Sequence, residues 1–542
     1  MKNTKLFVLM PIVAMLSLTA CPEAKDPFTN GINLKKDKNK NYVIDEVDNS
    51  TGSASYEIFV RSFYDTNGDG IGDLKGVQEK LSYIKDMGIK TIWLLPVHPS
   101  PSYHGYDVDN YYEINKDYGT MEDFNNLVNA AKEKGIDVMM DLVLNHSSTF
   151  NKWFTQSAHD YLHQVTGADS KADWYNWNKD GKGCKWTDGL YYEGSFNSSM
   201  PDLNLSSESL RSEIDNILKF WLNKGVAGFR LDAVTYYYSN NVTKNNEFLN
   251  WLNTTAKKYN PNVYMVGEAW VGDAIIPSYY GSSSKPTINS FFNFGSASGS
   301  TSIELSLINA SKGVLKSKTF AEAVENYEKK IKSANKNAYS SYFVSNHDQN
   351  RMSAYFKDER AKTIASLYLL LPGTPFMYYG EEIELRGTRS SEAEGTDAKR
   401  RLPMIWSKKD KVGECAFPDK EHKYLDTTEQ VELGVYDNLK TNYSLINHYK
   451  KVINVRNKYP FFKNAYFQSL CSGLGDESGK VMAYKIYNGN DYVIVVHNFS
   501  DYNQTVTSPG TEIVDTINTS RQIPELNDGM LSIGHHSTVL LK

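Results

Sequence analysis

The chain has 542 residues, enough for roughly three domains or for one large barrel with attachments. Hydrophobic residues make up 40% and charged residues 23%, which excludes a disordered chain as the main state. Lys+Arg 59 against Asp+Glu 64 gives a net charge of −5, and no basic stripe interrupts it, so nucleic acid is set aside as a partner.

The N-terminus comes first. Two lysines lie in Met1–Lys5, an apolar run follows from Leu6 to Leu18, and then Leu18-Thr19-Ala20-Cys21. That order reads as a secretory signal. The run is too short for a spanning helix of about 20 residues. The Leu-Thr-Ala-Cys ending resembles a bacterial lipobox, so residues 1–21 are expected to be a signal ending in a lipidated Cys21. The mature chain is then exported and held on the cell envelope by lipid alone. Residues 22–50 are rich in Lys, Asp and Asn and read as a solvated tether. The other cysteines, Cys184, Cys415 and Cys471, allow at most one disulfide and do not say which.

From Tyr56 onward short apolar runs alternate with helical patterns. Strands are expected at Tyr56–Phe63, Thr91–Leu95, Asp137–Leu144, Gly228–Leu231, Tyr264–Gly267, Ser290–Phe294, Tyr342–Val344 and Pro375–Tyr379. Helices are expected at Val77–Met87, Phe124–Lys134, Ile214–Asn223, Trp251–Lys258 and Arg360–Leu371. Such alternation implies parallel strands with crossover helices, and eight strands suit a closed (β/α)8 TIM barrel of the α/β class. A doubly wound sheet competes, but no Gly-rich phosphate turn follows the first strand. The barrel is assigned to 51–146 and 200–462. Between them, 147–199 is rich in aromatic, Gly, Asn and Ser residues with little helical pattern, and reads as a small inserted domain over the barrel mouth. Alternation at Val481–Tyr487, Tyr492–Asn498 and Thr538–Leu541 predicts a separate antiparallel β-sandwich over 463–542.

Polar residues at the C-terminal ends of barrel strands are the catalytic candidates. Four runs end this way: Asp141-Leu-Val-Leu-Asn-His146, Gly228-Phe-Arg-Leu-Asp-Ala233, Val266-Gly-Glu-Ala-Trp270 and Phe343-Val-Ser-Asn-His-Asp348. Converging carboxylates without an obvious catalytic metal cluster point to glycosidic bond cleavage. One carboxylic acid protonates the leaving oxygen, and one carboxylate attacks the anomeric carbon or directs water at it.

The strings DLVLNH, GFRLDAV, VGEAW and FVSNHDQNR, in that order, resemble the signature regions of the α-amylase family, glycoside hydrolase family 13. Gly88–Pro96 (GIKTIWLLP), Met200–Asn204 (MPDLN) and Gly373–Phe376 (GTPF) add to the resemblance, which runs from about Tyr56 to the C-terminus. It implies Asp232 as nucleophile, Glu268 as general acid/base and Asp348 as the third carboxylate, steadying the distorted sugar. It implies Arg230 as the group that keeps Asp232 ionised, His146 and His347 on the sugar at the cleavage point, and Tyr106 stacked beneath it. Thr235 and Tyr236 depart from the Lys-His that many family members carry there, on the leaving-group side.

Asp65-Thr-Asn67-Gly-Asp69-Gly-Ile71-Gly-Asp73 places oxygen donors at alternating positions around a turn, as calcium loops do, but without the closing Glu of an EF-hand. It resembles the calcium loop of oligo-1,6-glucosidase-like members, with Asp65, Asn67, Asp69 and Asp73 as ligands and Ile71 giving its carbonyl. The resemblance implies a second Ca2+ site at Asn145, Asp202 and the Tyr236 carbonyl. Trp174, Trp177, Tyr191, Tyr192 and Trp270 are rings that either stack sugars or fill a small core.

The expected function is retaining hydrolysis of internal α-1,4-glucosidic bonds in starch-type glucans by a monomer. The alternatives are a neopullulanase, cyclomaltodextrinase or α-glucosidase of the same family, or a glucan-binding lipoprotein without activity. Ala233 after the nucleophile favours α-1,4 bonds, because α-1,6-acting members often carry Val there.

Overall fold

The computed structural model describes residues 52–294, 316–388, 397–418 and 431–542. All of them fall in one compact unit, Asp48–Lys542. The signal, Cys21 and the tether lie outside the described residues.

The barrel strands are β1 (Ser55–Ile58), β2 (Thr91–Leu94), β3 (Asp137–Leu142) and, past the insert, β7 (Gly228–Leu231), β8 (Tyr264–Gly267), β9 (Ser290–Phe291) and β10 (Phe376–Tyr378). They form one parallel sheet in the order β10-β1-β2-β3-β7-β8-β9. The expected seventh strand, Tyr342–Val344, is not a regular strand. Its approach makes a single parallel bridge, Phe292 to Ser341. The chain there still bonds both neighbours: Ser341 N donates to Phe291 O at 3.1 Å, and Phe376 N donates to Tyr342 O at 2.7 Å. The circle therefore closes as a (β/α)8 barrel. The first expected strand is also shorter than its apolar run, because Val60–Ser62 turns into a 3-10 helix.

Both faces of this sheet are apolar, as a parallel sheet covered on both sides requires. Trp93, Met139, Val266, Phe292 and Phe376 fill the barrel, while Ile92, Leu94, Val138 and Met140 meet the outer helices. Local chemistry starts those helices. Thr120 and Asp123 form a capping box before Met121–Glu133, and Asn151, Ser207 and Asn241 cap the helices that follow them. Gly228 opens β7 because a Cβ there would lie 2.1 Å from the Tyr264 carbonyl oxygen.

The insert corrects the expectation of little helix. Lys152–Leu162 is helical, with Phe154 and Ala158 buried one turn apart. A short antiparallel sheet follows from β4 (Trp177–Asn178), β5 (Cys184–Thr187) and β6 (Leu190–Tyr192), in the order β4-β6-β5. Trp174, Trp177 and Tyr192 are buried in the insert, and Trp177 stacks on Phe154 with ring centroids 5.0 Å apart.

The C-terminal strands are β11 (Tyr466–Ser469), β12 (Val481–Asn488), β13 (Asp491–Asn498), β14 (Gln504–Thr507), β15 (Ile513–Ile517), β16 (Glu525–Asn527), β17 (Met530–Ile533) and β18 (Thr538–Leu541). They make antiparallel sheets of order β11-β12-β13-β18-β15 and β14-β17-β16. Val481, Ala483, Ile494, Val496 and Val539 pack toward Val506, Leu531 and Ile533 between the sheets. The other face, with Met482, Tyr484, Val495 and Leu540, belongs to the barrel's own core. Among the described residues no helix is long and apolar enough to cross a membrane, and Cys184, Cys415 and Cys471 are free thiols.

Candidate active site

Arg230 lies at the centre of the barrel mouth. It is the third residue of β7, fully buried, and sits opposite Asp141 of β3 in the strand register. Its Nη1 donates to Asp141 at 2.9 Å and to Asp232 at 2.8 Å, and its Nη2 forms an ion pair with Glu268 Oε2 at 3.0 Å. Two of the expected catalytic carboxylates therefore share one guanidinium. Asp232 is the first residue after β7, and Glu268 the first after β8, its amide bonded to Leu231 O at 2.9 Å. The Ala233 amide donates to Glu268 Oε2 at 2.9 Å. Ala233 adopts φ 45°, a left-handed conformation that a β-branched residue resists.

Burial sets the proton affinities. It pushes the Asp232 carboxyl up to about 6, against the opposing pull of Arg230. It pushes Glu268 further, to about 7, again against Arg230 and with the charges of Asp232 and Asp348 adding to the rise. Glu268 is thus the carboxyl that keeps its proton longer.

Asp348 is held from two sides. His347 Nε2 meets its Oδ2 at 2.9 Å, and Arg401 Nη2 meets its Oδ1 at 2.9 Å. Burial would raise its pKa, but these cations hold it far below the usual carboxylate range. Tyr106 stacks on His347 with ring centroids 5.6 Å apart and 12° between planes, and its hydroxyl donates to Asp141 at 3.0 Å. His146 is buried after β3, and burial lowers its pKa to about 4. Its Nε2 and the Nη1 of Arg401 are buried with no hydrogen-bond partner among the described residues.

The structure thus brings Asp232, Glu268, Asp348, Arg230, His347 and Tyr106 into one contact network, with His146 near it at the end of β3. Glu57, whose Oε1 lies 2.6 Å from His347 Nδ1, and Arg401 escaped the sequence reading, and Asp141 opened one of its runs without being given a role. Glu57 and Asp141 carry a signal, since each is a carboxylate inside an otherwise apolar strand. Arg401 carries none, because it comes from irregular chain far from any strand end.

Two further groups of expected residues concern calcium. In the first loop the carboxylates bond their own backbone: Asp65 accepts from the amides of Asn67, Gly68 and Gly70, Asp69 from Ile71, and Asp73 from Thr66 and Gly76. Among the described residues no three acidic, His or Cys side chains converge on a metal position. The donors are nonetheless all oxygen, as a hard cation prefers. Asp65 and Asp73 are buried and have no ion pair among the described residues. Asn145, Asp202 and Tyr236 do come together, lining a cavity of about 260 Å³ with Glu193 and Lys244. Burial raises Asp202 to about 6, with Glu193 adding to the rise.

The family model of the alpha amylase catalytic domain matches residues 57–465. Alpha-amylase 3 of Dictyoglomus thermophilum is 35% identical over 515 residues, covering 90% of this chain and 92% of that one. Oligo-1,6-glucosidase of Parageobacillus thermoglucosidasius is 28% identical over 82% of this chain and 89% of its own length. The solved structure of Eubacterium rectale Amy13B superposes with a TM-score of 0.81 at 34% identity, covering 91% of this chain and 95% of that one. A barrel with paired carboxylates on one arginine at its mouth, and a match of this extent, have one reading: the chain belongs to the alpha-amylase family of glycoside hydrolases.

Proposed function

We propose that this glycoside hydrolase cleaves internal α-1,4-glucosidic bonds of starch-type glucans with retention of the anomeric configuration. The observation that carries the reading is Arg230, whose two terminal nitrogens hold Asp232 and Glu268 as neighbours. Retaining enzymes need their two carboxyl groups only about 5–5.5 Å apart, so that one attacks the sugar directly. In the first step Asp232 attacks the anomeric carbon and Glu268 gives its proton to the leaving oxygen. In the second, Glu268 takes a proton from water, and that water releases the sugar from Asp232. Asp348, fixed by His347 and Arg401, bonds hydroxyls of the sugar as positive charge grows on its ring. Following the anomer first released from a maltooligosaccharide by NMR tests the chemistry: the α-anomer is expected, and the β-anomer refutes it.

The finer choice is the bond attacked. Ala233 presents the smallest side chain beside Asp232 and leaves room for the ring of a 4-linked leaving group. The kinship with oligo-1,6-glucosidases favours the second reading, an α-1,6- or small-substrate enzyme. Matched α-1,4 and α-1,6 oligosaccharides separate the two, with kcat/KM expected to be far higher on the α-1,4 set.

Calcium belongs to the same proposal. The Asp65–Asp73 loop would hold an ion through Asp65, Asn67, Asp69, Asp73 and the Ile71 carbonyl, and Asn145, Asp202 and the Tyr236 carbonyl would hold a second. Neither ion is given a chemical step, and their proposed contribution is to stability. Export, and anchoring by lipid on Cys21, rest on the residue pattern of the N-terminus. A monomeric state belongs to the same proposal.

A further inference from the structure

We propose that Glu57 is a positioning residue: from the inside of β1 it fixes His347 as a doubly protonated cation, and His347 in turn aims Asp348 at the substrate. The proposal rests on the reading of Asp348 as a sugar-binding carboxylate. It starts from hydrogen bonding. His347 Nδ1 lies 2.6 Å from Glu57 Oε1, and the His347 amide donates to the same oxygen at 3.3 Å. Nε2, on the other side of the ring, lies 2.9 Å from Asp348 Oδ2 and 2.6 Å from the Tyr106 oxygen. An ionised carboxylate only accepts, and Tyr106 has a carboxylate acceptor of its own in Asp141 at 3.0 Å, which leaves its oxygen open to a hydrogen from Nε2. Both ring nitrogens therefore face acceptors, and both must carry hydrogen.

The remaining groups around the ring fit this assignment. Trp93 of β2 packs on it edge-on, at 5.8 Å. Arg401 bonds the His347 carbonyl and the far oxygen of Asp348, and Arg230 reaches the Tyr106 hydroxyl at 3.3 Å. Asp141, across Tyr106, adds negative charge, and Tyr378 of β10 is neutral, its ionisation suppressed by burial and by Glu57. Glu57 and His347 are both buried, so water does not screen the pair. Other buried histidines show what the ring would do unaided. Burial lowers His98 and His146 to about 4, and His448 and His497 to about 3. His347 alone among these five moves up, to about 9, because Asp348 and Glu57 outweigh burial.

Glu57→Gln tests this with almost no change of shape. The amide oxygen can still accept from Nδ1, so the ring keeps its place while the charge is lost. His347 then becomes neutral near pH 7 and turns a lone pair toward Asp348. In the folded variant kcat/KM on maltooligosaccharides is expected to fall at least about tenfold at pH 7 and to recover toward wild type as the pH is lowered to about 5, where the ring regains its proton. A profile superimposable on wild type, or an equal loss at every pH, overturns the proposal. A second measurement needs neither the Glu57→Gln variant nor turnover, only a folded His347→Gln protein for the assignment. With 15N-labelled histidine, the resonance of wild type that His347→Gln removes should report both nitrogens protonated at pH 8. A neutral ring there refutes the proposal, and a protonated ring in a protein without hydrolase activity refutes the Asp348 reading instead.

Discussion

At the residue scale, Asp232 and Glu268 differ in their hold on a proton. Replacing Glu268 with Gln keeps the shape and the Ala233 bond but removes the acid. Turnover should fall about 10²–10⁴-fold with an unchanged melting temperature, since general acid catalysis contributes that much. Near wild-type turnover in a folded Glu268→Gln protein would move the acid elsewhere. The pH profile follows with its sign. Work needs Asp232 ionised and Glu268 protonated. Activity in kcat/KM should rise as pH passes about 6 and fall as it passes about 7, giving a narrow bell. A plateau that continues to pH 9 would show that Glu268 is not the proton donor.

At the element scale, the loop after β1 and the strand ends behave differently toward sequence reading. The carboxylates at the mouth are legible because each ends an apolar run, where a charged side chain has no other reason to stand. Helix starts are read late from apolar spacing alone: the helix expected from Phe124 begins at Met121, behind the cap that Thr120 forms with Asp123, and the one expected from Ile214 begins at Glu208. The helix Lys152–Leu162 is not legible, because its buried stripe includes Ser157 and Asp160 among the apolar positions. The seventh strand misleads for the opposite reason: Tyr342 and Val344 are buried like strand residues, yet the chain there bonds its neighbours without regular pairing. The Asp65–Asp73 loop can be read for its donors but not for its occupant. An ion bound only by the native state stabilises it, by about 2.7 kcal/mol at one hundred times its Kd. Chelator should therefore lower the melting temperature of wild type, and Asp69→Ala should remove most of that difference. If the two proteins melt alike with and without calcium, the loop is held by its amide bonds alone.

At the scale of the whole molecule, the N-terminal pattern and the fold make separate claims. Cys21→Ala should release the protein from membranes or block its maturation, because stable anchoring needs more than one acyl chain and a lipidated N-terminal cysteine carries several. Cell fractionation followed by immunoblotting reads the outcome, and unchanged membrane association would refute the lipobox.

The C-terminal sheets, though antiparallel and last in the chain, are not an appendage. One face of β12, β13 and β18 is continuous with the core of the barrel, Tyr484 OH donates to Leu370 O at 3.3 Å, and Tyr459 OH donates to Asp515 Oδ2 of β15 at 2.8 Å. Cutting the chain at the boundary that its sequence marks would lay bare the apolar face those strands cover. The protein is thus modular in its reading but not in its engineering: shuffling this segment between relatives would require recutting both sides of the seam, and a protease should find no silent site between barrel and sheets.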